Sequence, residues 1–265
     1  MNLDELPFFD WSNISQRYNL SFYRRFFAQR GCFMECCFCA DVLWANQKVR
    51  KKSLERVERE VRNAISNTQF VEFHFADNCF SVNRKYANGL AEIMGGLGVD
   101  WTVETRVDMV DQDSLNRWAK NGCIEIEYGG ESAVDSVLTH SNKKITREQM
   151  VKAFEMTKEA GIYVHTNWMV GLPRETRETE VETIDFVCNM TRRGLTDTMD
   201  YFIMVPYPGT PISKNPEKFG IQVSSKNWRK YNEDVPPVCE SKVFSRDEIF
   251  ETWKYGIEKF AEVLR

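Results

Sequence analysis

The sequence has no apolar run approaching the ~20 residues that a membrane-crossing helix needs, and its mean hydropathy is −0.47. Its start, Met1-Asn-Leu-Asp-Glu-Leu-Pro7, is acidic and broken by proline, which is no export signal. A cytoplasmic location with no membrane partner is expected. Basic residues are in deficit: 35 Lys and Arg against 39 Asp and Glu give a net charge of −4. Duplex binding wants a basic surface, so nucleic acid is not an expected partner. Internal repeats are missing, and histidine is scarce, with three in the chain. What is there suits an ordinary globular protein: 42% hydrophobic and 28% charged residues over 265 positions. That length accommodates a single α/β barrel.

Strand and helix patterns alternate along the chain. Strands are expected at 22–31, 71–76, 101–105, 123–128, 162–170 and 199–205. Helical spacing fits 53–65, 84–94, 113–121, 132–139, 146–160, 178–193 and 246–264, with Ser53 and Thr146 as N-caps. Residues 206–245 are proline-rich and read as irregular. Strands separated by helices pair in parallel, because parallel pairing needs a crossover. The expected fold is an α/β partial (β/α)6 parallel barrel with a short C-terminal extension and helix. Residues 1–20 read as a linker-like segment, 21–210 as the core barrel and 211–265 as the extension.

Period-2 alternation sorts each strand into two faces. Val71, Phe73 and Phe75, Trp101 and Val103, Ile124, Ile126 and Tyr128, and Ile162, Val164 and Trp168 belong under the helices. The opposite face carries Glu72, His74, Glu104, Arg106, Glu125, Glu127, His165 and Asn167. Buried dry, such a face is costly. It is expected either to line a wet or ligand-filled cavity or to be the solvated face of an open sheet.

Eight cysteines in a chain without an export signal point to metal ligation, catalysis or burial rather than disulfides. Four of them fall between 32 and 39, and Cys32, Cys36 and Cys39 form C-x3-C-x2-C. Three thiolates on one loop make a tripod for a soft metal centre. A structural zinc site wants a fourth ligand from a second paired motif, and the sequence has none. A cubane on three thiolates keeps one iron open to a small molecule.

The C-x3-C-x-Phe38-Cys39 pattern after a first strand, heading six βα units, resembles the radical S-adenosylmethionine (SAM) superfamily. The likeness runs nearly the whole length. Asp77-Asn-Cys-Phe80, Thr105-Arg-Val-Asp108, Tyr128-Gly-Gly-Glu131-Ser132, Met169-Val-Gly171-Leu-Pro-Arg-Glu-Thr176 and Pro206-Tyr-Pro-Gly-Thr-Pro211 are similar, in order and spacing, to the cobalamin-binding branch. The resemblance implies a [4Fe-4S] cluster on Cys32, Cys36 and Cys39. It also implies SAM bound by Phe38, Asp77, Arg106, Gly129, Gly130, Glu131, Ser132 and Gly171. One electron then yields a 5′-deoxyadenosyl radical that abstracts a substrate hydrogen. Glu127 and His165 are the candidate catalytic residues toward a polar small-molecule or peptide substrate. A flavodoxin or ferredoxin is the expected reductant. No D-x-H-x-x-G motif accompanies the three histidines, so cobalamin is not expected. Two other functions stay open: a cobalamin-dependent methyltransferase whose cobalamin domain is absent or separate, and a non-catalytic iron–sulfur electron-transfer protein.

Overall fold

The computed structural model describes residues 2–9, 24–41, 48–66 and 72–265. Its centre is a six-stranded sheet: β1 (Arg24–Phe26), β2 (Glu72–Phe75), β3 (Asp100–Thr105), β4 (Cys123–Glu131), β5 (Tyr163–Val170) and β6 (Thr198–Ile203). The strands pair in chain order and every pair is parallel. Helices α1 (Leu54–Ser66), α2 (Arg84–Leu97), α3 (Gln112–Lys120), α4 (Asp135–His140), α5 (Arg147–Glu159) and α6 (Arg177–Arg192) lie between successive strands. Short α7 (Pro211–Lys214) and long α8 (Arg246–Val263) follow the sheet.

The helices begin where local chemistry satisfies their first N–H groups. Ser53 Oγ accepts from Arg56 N ahead of α1. Thr146, Thr176 and Ser245 form reciprocal capping boxes before α5, α6 and α8. The apolar strand face is fully covered by these helices. Phe73, Phe75, Trp101, Val103, Ile126, Tyr128, Val164 and Trp168 are all sealed from solvent. Phe80 packs into this layer, 5.3 Å from the Phe75 ring and 5.4 Å from both Trp101 and Trp118.

Three expectations are corrected. The first strand does not run through 31: β1 ends at Phe26, and Gln29–Arg30 turns away to pair antiparallel with Arg50–Lys51. The backbone N–H groups of Ala28 and Gln29 are taken by Asp77 instead. Positions 22–23 and 71, and most of the 1–20 segment, lie outside the described residues. Ile124 faces solvent, because the register shifts between Trp101 and Thr102 and buries Cys123 in its place. Residues 206–245 are not merely irregular. Ile221–Val223 pairs antiparallel with Cys239–Ser241, and Ile212, Ile221 and Cys239 pack with Cys37, Leu172 and Met204 in a second apolar cluster.

Candidate active site

The carboxyl ends of the strands open onto a cavity holding about 740 Å³ of empty space, its mouth included. Parallel α/β folds place their sites at this end. Cys32, Cys36, Phe38 and Cys39 line it, together with Arg106, Glu127, Gly129 and Glu131. The structure thus brings together eight of the thirteen candidate site residues named from the sequence. Met34, Asn78, Glu104, Thr105, Lys143 and Asn167 complete the wall.

The cysteine loop is tied down from several sides. Gly31 N donates to Asn78 Oδ1 at 2.8 Å. Cys37 N donates to Ser141 O at 2.9 Å, and Asn142 Nδ2 to Glu35 O at 2.8 Å. Ile212 N donates to Cys37 O at 3.0 Å. These bonds turn Cys37 into the second apolar cluster and away from the cavity, leaving the other three thiols at the wall. Met34 N donates to Cys32 Sγ at 3.4 Å. Burial pushes the Cys36 thiol up, and the charges of Lys143 and Arg106 work against that shift. Three soft donors facing two cations suit an anionic iron–sulfur cluster.

Arg106 is clamped by Asp108, Nε to Oδ1 at 2.9 Å, and donates to Lys143 O at 2.8 Å. Its acidic partner is therefore Asp108, rather than Glu104 or Glu127. Lys143 Nζ reaches Glu131 at 2.6 Å in a buried pair. Glu131 itself sits at φ 66°, just past a register irregularity between Gly129 and Glu131. A β-carbon on Gly129 would meet Glu131 Oε1 at 2.5 Å and Lys143 Nζ at 2.8 Å, so glycine is what lets this pair fold back over the strand.

The polar strand face forms the floor. His74 Nδ1 pairs with Thr102 Oγ1 at 2.8 Å, and Nε2 with Glu104 at 3.2 Å. One donor atom each from His74, Glu104 and Glu127 lie within 4.8 Å of one another. Burial and the neighbouring Glu104 charge push the Glu127 carboxyl up.

Five expected site residues lie outside the cavity wall. Asp77 is sealed from solvent and bonded to the backbone of Ala28 and Gln29, just ahead of the cysteine loop. Gly130 abuts the Trp168 ring, where a β-carbon would come within 2.7 Å. Ser132 Oγ bonds Thr183 and accepts from Val134 N, which is a turn-capping role. Gly171, at φ 90°, donates to Glu175 at 2.5 Å. His165 bonds Thr198 at 2.8 Å and reaches the cavity through Asn167 Oδ1 at 3.2 Å. Sequence reasoning missed Lys143 and Asn142. Their only local signal is the Asn142 and Lys144 backbone, at φ 58° and 55°, and no spacing motif announces it.

The profile of the Radical SAM superfamily matches residues 27–187. The chain belongs to the radical SAM superfamily. Members of this superfamily use a [4Fe-4S] cluster and SAM. An uncharacterized methyltransferase of Pyrococcus horikoshii is 30% identical over 222 residues, covering 83% of this chain and 47% of that protein. The anaerobic magnesium-protoporphyrin IX monomethyl ester cyclase of Cereibacter sphaeroides is 29% identical over 229 residues, covering 84% and 36%. The chain thus spans less than half the length of either relative. Among solved structures, the radical SAM methyltransferase TsrM of Kitasatospora setae, seen with cobalamin and a [4Fe-4S] cluster, superimposes with a TM-score of 0.75. It is 15% identical, and the match covers 96% of this chain and 53% of TsrM. That likeness carries the fold. It supports the partial-barrel expectation.

Proposed function

We propose that the chain is the catalytic core of a radical SAM enzyme that abstracts hydrogen from a polar small-molecule or peptide substrate. The observation that carries this reading is that Cys32, Cys36 and Cys39 open onto the same cavity as Arg106, Glu131 and Lys143. Among the described residues no further cysteine lines it, so a cluster held there keeps one iron open. Bound at these thiols, the cluster supplies the electron that splits SAM into methionine and a 5′-deoxyadenosyl radical. Arg106 and Lys143 offer cationic donors to a carboxylate. Glu131 offers acceptors to ribose hydroxyls, and Phe38 a flat apolar face to the adenine. Glu104, Glu127 and Asn167 present acceptors and an amide to the substrate side. This set favours a substrate bearing amine or hydroxyl groups, held close and shielded from water. A flavodoxin or ferredoxin is the reductant that fits this chemistry.

The test is anaerobic reconstitution with iron and sulfide, then SAM and a strong reductant. 5′-Deoxyadenosine should form, and Cys36→Ala should lose both iron and cleavage, because three thiolates cannot spare one. Full iron in that variant overturns the ligand set. A cluster without SAM cleavage leaves an electron carrier. Methyl transfer is a second reading, favoured by the 30% identity to a protein named a methyltransferase; cobalamin binding by the purified chain would decide for it.

A further inference from the structure

Two side chains beside the cysteine loop hold buried oxygens that lack a hydrogen-bond partner: Asp77 Oδ2 and Gln29 Oε1. Both residues are sealed from solvent, and their side chains are neighbours. The remaining polar atoms of each are committed. Asp77 Oδ1 accepts from Ala28 N at 2.9 Å and Gln29 N at 3.1 Å. Gln29 Nε2 donates to Phe80 O at 2.7 Å and Cys79 O at 3.3 Å. Those two carbonyls fix the amide's orientation, because a flipped Gln29 would set oxygen against oxygen. An ionised Asp77 would leave two buried acceptors and no donor, an arrangement that folded proteins avoid. A single proton on Oδ2 satisfies both.

We infer that Asp77 is a protonated acid in the folded protein, donates to Gln29 Oε1, and through this bond acts as a positioning residue for the cysteine loop. Its reach supports the role. Asp77 and Asn78 together hold the N–H groups of Ala28, Gln29 and Gly31, the run that leads directly into Cys32. Burial pushes the Asp77 carboxyl up to about 7, and it does so against both backbone bonds, the Gln29 side chain and the Lys52 charge. Lys52 is itself paired with Glu60 at 2.5 Å. The nearby Tyr86 hydroxyl is spent on Lys52 O at 2.8 Å and Ala28 O at 3.3 Å. The loop-positioning half of the inference rests on the reading that Cys32, Cys36 and Cys39 hold the cluster; the proton itself does not.

The deciding variant is Asp77→Asn, whose amide makes the same bonds without a titrating proton. After reconstitution it should match the wild type in iron content, while Asp77→Ala loses most of it. The unfolding midpoint is then followed against pH. An unfolded aspartate releases its proton near 3.9, whereas the folded acid keeps it to about 7. The folded state therefore binds the extra proton, and this contribution to stability falls as pH rises from about 4 to about 7. Asp77→Asn should lack that slope and gain steadily on the wild type across the window. An Asp77→Asn protein that loses iron as Asp77→Ala does, or keeps the wild-type slope, overturns the inference. If Asp77→Ala fails to fold, the Asn comparison decides alone. A wild type that takes up no iron refutes the cluster reading, and the pH slopes still test the proton.

Discussion

Glu131 holds a left-handed backbone conformation at φ 66° without being glycine. Such strain of about 1–3 kcal/mol persists where surroundings over-determine it. Here the buried bond to Lys143 at 2.6 Å does so. Truncating Glu131 would strand the lysine, so the informative change is Glu131→Gln, which keeps an oxygen for it. With Arg106→Met, it tests where SAM sits. Each variant should bind SAM about ten- to a hundredfold more weakly, the worth of a charge-assisted hydrogen bond, with iron content unchanged. Equilibrium binding to the reconstituted protein measures this, and unchanged affinity in both would move SAM elsewhere. At this scale the cysteine triplet was legible because its spacing is chemically specific. Lys143 was not, because tertiary folding rather than local spacing delivers it to the cavity.

At the scale of elements, a buried carboxyl pair joins the turn after β5, which carries Glu175, to the first turn of α6, which carries Glu180. Glu175 accepts from Gly171 N and Leu172 N, and Glu180 accepts from the Tyr201 hydroxyl at 2.6 Å. Glu175 Oε1 and Glu180 Oε2 are left over, one on each acid. Burial holds both carboxyls above their usual range, and for Glu180 the neighbouring acid adds to the shift. The folded state thus keeps a proton that the unfolded chain releases near 4.3. Stability from this pair is greatest below that value and falls as pH rises from there through the raised folded values, about 7 for Glu175 and higher than usual for Glu180. Glu180→Gln should flatten the slope and raise stability at pH 8 by about 1–3 kcal/mol, the cost of one unsatisfied buried group. Denaturant titrations at pH 5 and pH 8 check this; an unchanged slope refutes it. The elements themselves were readable because alternation and capping are local. The register shift beside Trp101 and the early exit of β1 were not, since each is imposed by a neighbouring strand or side chain.

At the scale of the whole molecule, one sheet face is a sealed aromatic core and the other is half-open and acidic. The sequence-level choice between a wet cavity and an open solvated face resolves into a mixture. His74 is sealed under Glu104 and Glu127, while those two carboxylates remain partly exposed at the cavity wall. Glu127→Gln should therefore leave SAM cleavage running but uncouple it from substrate. The ratio of 5′-deoxyadenosine to product, once a substrate is found, should rise at least about tenfold, as for loss of a charged contact. A ratio equal to the wild type would remove Glu127 from the substrate wall.

The loop that carries the three thiols is anchored by partners as far along the chain as Asn78, Ser141, Asn142 and Ile212. During synthesis the cysteines emerge early, but their last anchor emerges only when four-fifths of these 265 residues exist. Full anchoring of the loop is thereby deferred until Ile212 has been made and has docked on Cys37. The brown colour of a cluster held on those thiols would then report that the Ile212 segment has docked, making absorbance a gauge of that docking as well as of iron.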